Sequence, residues 1–120
     1  MNICSIVGRP ILSSPFVATD ERVVPLADLF RLLGDPTRLR IVLTCVERRC
    51  AVGAIAESLG LSASLVSHHL RLLRAARIVR AEREGKQVFY LAADNHISAM
   101  LAELLEHVAE PQADFRPDNE

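Results

Sequence analysis

The chain has 120 residues and a mass of 13.2 kDa, enough for one domain that folds without disulfides or a structural metal. Half of the residues are hydrophobic and only 4% are aromatic, so a core of aliphatic side chains is expected and general disorder is excluded. The apolar runs are too short for a membrane span, and the start of the chain lacks the basic residues of a signal peptide. We therefore expect a cytoplasmic protein with reduced cysteines and no membrane partner.

The net charge of -1 conceals a strong asymmetry along the chain. Residues 37–90 carry ten Lys and Arg against four Glu, which is a net charge of +6. Residues 91–120 carry one Arg against seven acidic residues, which is a net charge of −6. A basic middle and an acidic end indicate that different surfaces of the protein meet different partners.

The first part of the chain is predicted to contain an arm and two helices. Residues 1–22 show no hydrophobic period and are expected to form a flexible arm. A first amphipathic helix is predicted over 23–33, because its apolar residues recur three and four positions apart. Asp35 and Pro36 have the residue types of a helix N-cap and first turn, so a second helix is predicted over about 36–48.

A helix-turn-helix pattern follows. The next two predicted helices, at about 52–59 and 62–76, are joined by a short turn that contains Gly60. Gly60 permits positive φ, and Ser62 can cap the second helix of the pair. Two short helices around a glycine turn are typical of a motif whose second helix enters the major groove of DNA.

A β-hairpin is predicted after this motif, because β-prone residues flank the turn signal Glu84-Gly85. A hairpin in this position is a wing. Arg83 and Lys86 fall at its tip, where their cations can contact phosphates. The same basic region contains four further arginines, namely Arg71, Arg74, Arg77 and Arg80.

The last predicted element is an amphipathic helix over about 94–109, whose apolar stripe is expected to pack against a second copy of the chain. Residues 111–120 are polar and are predicted to be a disordered tail. We therefore predict a mainly α fold with a small β-hairpin, of the α+β class. The domain over 23–110 is expected to be a homodimeric winged helix-turn-helix with a terminal dimerisation helix.

Three segments in this order resemble the ArsR/SmtB family of bacterial metal-sensing repressors. They are LFRLLGDPTRLRI at 29–41, SASLVSHHL at 62–70 and EGKQVFY at 84–90. The resemblance covers about residues 25–110. It implies a homodimeric repressor that occupies double-stranded operator DNA until an inducer binds and releases it.

The resemblance also implies that Ser64, Ser67 and His68 read the operator from the second helix of the motif. Hydroxyl and imidazole groups at that position can hydrogen-bond to base edges or to phosphates. Arg71 lies one turn further along and can contact a phosphate. His69 fits either packing in the core or a DNA contact, and the sequence leaves both interpretations open.

The sequence offers several candidate sites for the inducer, and the cysteines form the first group. An arsenic-type site resembling that of the family needs two cysteines separated by one residue, but here Ala51 stands where the family has Cys and only Cys50 is nearby. That site is expected to be lost. Cys4 and Cys50 could still form a soft thiolate site for cadmium or lead, while Cys45 is expected to be a buried core thiol.

The terminal helix carries Asp94, His96, His107 and Glu110, a pattern similar to that of SmtB-type zinc sensors. His96 and His107 share one helix face but lie about 16 Å apart along the axis, too far to bind one ion. Two such helices, antiparallel about a two-fold axis near residue 102, would pair His96 of one chain with His107 of the other. We therefore predict two four-ligand sites per dimer for Zn²⁺, with Co²⁺ as a substitute.

The sequence thus predicts a zinc-responsive transcriptional repressor that leaves its operator when metal bridges the terminal helices. One alternative is a thiol sensor of cadmium, lead or oxidants that uses Cys4, Cys45 and Cys50. A metal-blind DNA-binding module is another. A zinc hydrolase is disfavoured, because the sequence has no His-Glu-x-x-His motif and four protein ligands leave no position for water. The chain is expected not to be an enzyme.

Overall fold

The computed structural model describes residues 19–111, which form five helices and a three-stranded sheet. The fold is mainly helical with a small antiparallel sheet, as predicted. In the described part of the chain no helix is long and apolar enough to cross a membrane. Most of the predicted arm, the predicted tail and Cys4 lie outside the described residues. The elements in chain order are α1 (Asp20–Leu33), α2 (Pro36–Glu47), β1 (Cys50–Ala51), α3 (Val52–Leu59), α4 (Ala63–Ala75), β2 (Val79–Glu84), β3 (Gln87–Ala92) and α5 (Asn95–Ala109).

Helix α1 begins at Asp20, three residues before the predicted start at Val23. The acidic side chains of Asp20 and Glu21 lie in its first turn, where they complement the positive end of the helix dipole. Residues 20–22 are therefore helical and do not belong to the predicted arm. Of the apolar residues that defined the predicted period, Leu33 is buried, whereas Leu26 and Phe30 are exposed.

The predicted caps of the DNA-binding motif are confirmed. The Asp35 carboxylate accepts a hydrogen bond of 2.9 Å from the Arg38 backbone N–H at the start of α2. The Ser62 hydroxyl accepts one of 3.1 Å from the Leu65 N–H at the start of α4. Gly60 has a φ of 70° and ends α3 in the left-handed conformation. Ser62 and Gly60 thus define the turn between the two motif helices α3 and α4, and Asp35 defines the start of the preceding helix α2.

The sheet has the order β1-β3-β2, with both pairings antiparallel. In the hairpin Glu84 pairs with Gln87, so the two-residue loop consists of Gly85, at φ 65°, and Lys86. The loop is therefore one residue further along the chain than predicted. The sequence did not predict β1, because a two-residue strand is too short to show a hydrophobic period.

The core is a single cluster of aliphatic side chains, as the scarcity of aromatic residues predicted. It packs one face of α4 against α2, α3 and the start of β2, with the first half of α5 at its edge. Its fully buried members include Ile41, Val42, Ile55, Val66, Leu70, Leu73, Ile78 and Val79. The contacts that hold α4 in its orientation are therefore made by the main hydrophobic core.

We expect opposite effects from the same substitution at two glycines. Gly60→Ala should lower the free energy of unfolding by about 1–2 kcal/mol, because an L-residue is strained at its φ of 70° although a Cβ would meet nothing within 4 Å. Gly53→Ala, also with open space around the added Cβ, should raise it by up to about 1 kcal/mol, since Gly53 lies in α3. Urea unfolding at one protein concentration measures both changes. A loss of stability in both variants would contradict this assignment of strain.

Candidate functional site

The predicted DNA-reading residues lie on one exposed face of α4. Ser64, Ser67 and Arg71 follow each other at intervals of three and four residues, and His68 adjoins them. All are exposed except Ser67, which is half-buried. The opposite face of α4 is buried in the core. The four side chains are thus brought together on the surface that the fold leaves free.

His69 belongs to the buried side of the helix and does not face DNA. The residue is 9% exposed, and its Nδ1 accepts a hydrogen bond of 3.2 Å from Arg38 Nε. Arg38 also donates to the Leu32 carbonyl at 3.3 Å, so it joins α4 to the end of α1. Burial, and next the Arg38 cation, hold the pKa of His69 below its usual value. Of the two interpretations that the sequence left open, the structure supports packing.

The wing is held by an arginine that the sequence analysis missed. Arg49 precedes β1, forms ion pairs with Glu84 and, at 3.6 Å, with Glu82, and its guanidinium carbon lies 4.2 Å from the Phe89 ring centre. Arg80 pairs with the same Glu82 at 3.0 Å. The contacts of Arg49 join residues more than thirty positions apart, so no local sequence signal could have revealed them.

These ion pairs decide the charge that the wing presents. The two glutamates of β2 are both neutralised by arginines from within the fold. Arg83 near the end of β2 and Lys86 in the loop are exposed, and neither forms an ion pair with a residue in the range 19–111. The tip of the wing is therefore cationic, because its two glutamates are paired with arginines while Arg83 and Lys86 are not.

Asp94 and His96 lie together at the start of α5. Asp94 is the N-cap, and its Oδ1 accepts a hydrogen bond of 3.1 Å from the Ile97 N–H. Its Oδ2 lies 3.7 Å from His96 Nδ1, and the His96 side chain is 95% exposed. The Ile97 hydrogen bond, and next the neighbouring His96, lower the pKa of Asp94. The carboxylate is therefore ionised at neutral pH, and its Oδ2 lies beside the exposed imidazole of His96.

His107 and Glu110 lie at the other end of the same helix. His107 is in the last turn, Glu110 is the C-cap residue, and both are exposed. Among residues 19–111 of one chain, no three His, Cys, Asp or Glu side chains are close enough together to hold a metal ion. A single chain thus carries two separate pairs of nitrogen and oxygen donors, one at each end of α5.

The described cysteines differ in exposure. Cys45 is 1% exposed in α2, and burial, with a smaller contribution from Cys50, raises the pKa of its thiol to about 12. Such a thiol is almost never a thiolate at neutral pH, so it is a poor metal ligand and a poor nucleophile. Cys50 is half-buried on β1. The prediction of Cys45 as a core thiol is confirmed.

A large apolar surface extends over α1 and α5. The two helices and α2 enclose a groove of about 260 Å³ whose lining includes Phe30, Leu39 and Leu105. Val108 is 71% exposed, which is unusual for a large aliphatic side chain. An exposed apolar patch of this kind marks an interaction surface. Further members of the patch are Val23, Val24, Leu26 and Leu104.

The lowered pKa of His69 predicts that the free energy of unfolding depends on pH. Below about pH 6.5 the unfolded chain gains a proton at this position while the folded chain resists it, so the free energy of unfolding should fall as the pH drops through this range. His69→Gln, whose amide oxygen can still accept from Arg38, should lose this part of the pH dependence. Urea unfolding between pH 5 and pH 7.5 measures it, with exposed His68→Gln as the control. An unchanged pH dependence in His69→Gln would contradict the assignment.

Comparisons with known proteins agree with this geometry. The model of the arsR family of bacterial regulatory proteins matches residues 35–81. A transcriptional repressor SmtB homolog of Synechocystis is 35% identical over 96 residues, which are 80% of this chain and 73% of that protein.

Two solved structures are also similar. The cadmium metal sensor CmtR of Mycobacterium tuberculosis has a TM-score of 0.61 at 42% identity, over 75% of this chain and 94% of that one. The homodimeric winged helix-turn-helix DNA-binding domain Mb0332 of Mycobacterium bovis has a TM-score of 0.68 at 27% identity, over 78% and 89%. The chain therefore belongs to the arsR family of bacterial regulatory proteins and has the winged helix-turn-helix fold of a DNA-binding transcriptional repressor of the ArsR/SmtB type.

Proposed function

We propose that this protein is a zinc-responsive repressor that holds its operator through the α4 helices and wings of a homodimer and releases it when Zn²⁺ binds between the α5 helices. The observation that supports this proposal most directly is the presence of two pairs of metal donors on α5. Asp94 lies beside His96 at one end, and His107 lies near Glu110 at the other. Similarity to an SmtB homolog and to a cadmium metal sensor supports a metal as inducer. Because it acts on operator DNA, we place the protein in the cytoplasm.

The donor set favours zinc over cadmium. Two imidazoles and two carboxylates are nitrogen and oxygen ligands, which suit tetrahedral Zn²⁺ and accept Co²⁺, whereas cadmium and lead prefer thiolates. The thiol of Cys45 is buried and protonated at neutral pH, so it offers no such ligand. The Asp94 carboxylate is ionised, as a ligand has to be, and its Oδ2 lies on the side of His96, the other donor at this end of α5.

Packing of two chains through the apolar surface would bring a donor pair of one chain next to a donor pair of the other. Leu104, Leu105 and Val108 are exposed on the helix that carries the ligands, so a second α5 packed there buries apolar area. In an antiparallel pair, Asp94 and His96 of one chain meet His107 and Glu110 of the other. The bound ion supplies positive charge that joins the two helices and thereby selects one arrangement of the dimer.

The start of α5 is linked to the end of α4 through the backbone. The Ala93 N–H donates to the Ile78 carbonyl at 3.0 Å, and the Ile78 N–H donates to the Leu73 carbonyl at 2.9 Å. A displacement at Asp94 is therefore transmitted to the helix that reads DNA. Allosteric couplings are about 1–3 kcal/mol, enough to reduce operator affinity by about 5- to 150-fold, and by linkage DNA weakens metal binding by the same factor.

Substitutions on α4 and on the wing should affect DNA binding differently. Ser67→Ala or His68→Ala should weaken operator binding by about tenfold or more and random-duplex binding much less, because base contacts carry sequence discrimination. Arg83→Ala or Lys86→Ala should weaken both and reduce the salt dependence. Fluorescence anisotropy at several salt concentrations separates the two classes, with Ser98→Ala on α5 as the hydroxyl control. Equal loss on both duplexes in the α4 variants would reject their role in sequence reading.

Mixing two inactive variants tests whether each metal site spans two chains. His96→Ala and His107→Ala should each abolish tight zinc binding in their own homodimers, since every site loses one imidazole. After subunit exchange, the heterodimer has one site without either histidine and one intact site. Zinc titration of the exchanged mixture should therefore recover up to one tight site per heterodimer. No recovery, with heterodimers confirmed by native mass spectrometry, would reject the inter-chain site.

A cysteine-free variant distinguishes the thiol alternative. Cys4, Cys45 and Cys50 replaced together by Ser should leave release of operator DNA by zinc intact, whereas a thiol sensor would lose its response. Wild type titrated with zinc, cobalt and cadmium in turn ranks the metals by the fall in operator affinity. The proposal would be contradicted if zinc lowered operator affinity less than the other two metals did. A loss of the zinc response in the cysteine-free variant would also contradict it.

A further inference from the structure

A surface groove lies where the second half of α4 meets the sheet. It has a volume of about 520 Å³ and is lined by Ser67, Arg71, Arg74 and Ala75 of α4 and by Tyr90 of β3. We call it the seam groove. Residues 67, 71 and 74 are spaced by four and three, so their side chains share one face of the helix. This face is the continuation of the one that carries Ser64 and His68.

The lining of the seam groove consists of hydrogen-bond donors without any acid. Arg71 and Arg74 supply two guanidinium groups, and neither is paired with an acidic side chain within residues 19–111. Ser67 and Tyr90 supply two hydroxyls. Forked guanidinium donors combined with hydroxyls match the oxygens of a phosphate, which accepts several charge-assisted hydrogen bonds at once.

The neighbouring groove provides a contrast. It is lined by Arg74, Arg77 and Arg80, but also by the ionised carboxylate of Asp94, and Arg80 is already paired with Glu82. Asp94 in the lining and Glu82 beside Arg80 offset two of these three cations, so one net positive charge remains there. The seam groove has fewer arginines and no acid, and an anion is therefore favoured on that side of Arg74.

Tyr90 gives the seam groove a rigid wall. It lies on the central strand β3, paired with Ala81 of β2 on one side and Cys50 of β1 on the other. Its ring is half-buried against the core, and its hydroxyl forms no hydrogen bond with another described residue. A donor held in this way loses little conformational entropy on binding, unlike the exposed Lys86 of the loop.

We propose that the seam groove binds one phosphodiester group of the DNA backbone in each half-site, with Arg74 and Tyr90 as contacts additional to Arg71, while the Ser67 hydroxyl at the same groove remains directed to a base edge. The proposal rests on the DNA-binding role of α4. Ser64 and Arg74 lie about 15 Å apart along the helix, so a duplex read by the start of α4 can pass its backbone between the helix and the wing. The interaction is independent of base sequence because only phosphate oxygens are bound.

Salt-dependent binding tests the proposal without any metal. Arg74→Gln should weaken operator and random-duplex binding by the same factor, about tenfold, and should reduce the salt slope by about 1.8, because the dimer then leaves one phosphate unneutralised in each of its two half-sites, at about 0.9 per phosphate. Tyr90→Phe should weaken both duplexes equally with an unchanged salt slope, because it removes a donor but no charge. Thermal unfolding of both variants should match the wild type. A change in the ratio of operator to random affinity would overturn the proposal.

Arg22→Gln is the matched control, because it removes the same charge from α1, an element that does not line the groove. Its effect on affinity and salt slope should be much smaller than that of Arg74→Gln. Equal effects would mean that overall charge, and not the seam groove, is responsible, and would overturn the proposal. Failure of zinc to release the operator would leave these measurements unaffected, so the two proposals are tested separately.

A duplex with one neutral methylphosphonate at a time locates the phosphate. Wild type should lose affinity at several backbone positions, and at one of these positions in each half-site Arg74→Gln should show no further loss. Additive losses at every position would overturn the proposal. Inorganic phosphate is the second probe: ³¹P line broadening by DNA-free protein that disappears in Arg74→Gln, combined with DNA binding unchanged in that variant, would assign the groove to a free anion instead.

Discussion

Helix α4 has one face buried in the core, and contacts of this helix with DNA have to use the surface that remains. Val66, Leu70 and Leu73 are at most 1% exposed, and His69 on the same side is tied to Arg38. Because these contacts prevent rotation of α4 about its axis, the polar residues of the other face keep a fixed direction. The hydrophobic core thus acts on DNA recognition directly, by holding the reading helix in register with the wing.

The charge asymmetry of the sequence acquires a spatial meaning in this fold. Arg71 and Arg74 of α4 and the tip of the wing carry the exposed positive charge that we propose for DNA, and Arg49 is paired with the two wing glutamates that would oppose a phosphate. Four acids of the last segment, namely Asp94, Glu103, Glu106 and Glu110, lie on α5 or cap it, on the helix that also exposes Leu104, Leu105 and Val108.

Two features of the isolated chain can both be explained by a second copy of it. Its α1 and α5 helices expose large aliphatic side chains, and its two pairs of nitrogen and oxygen donors are separated by the length of α5. In the dimer that we propose, a second copy packed on the apolar surface would remove the exposed area from water. The same packing would determine the distance between the two α4 helices, so dimer geometry and operator spacing would be linked.

The sequence by itself determined the features that depend on neighbours within about four residues. Helix periods, the caps at Asp35 and Ser62, the left-handed Gly60 and the order of helix, helix and wing are all of this kind, and they sufficed to indicate the family. Tertiary structure alone decided the strand β1, the clamp of Arg49 on the wing, the burial of His69 and the position of Tyr90 beside α4. Each of these depends on residues distant in sequence, whose approach is set by packing of the whole core and leaves no local period or motif.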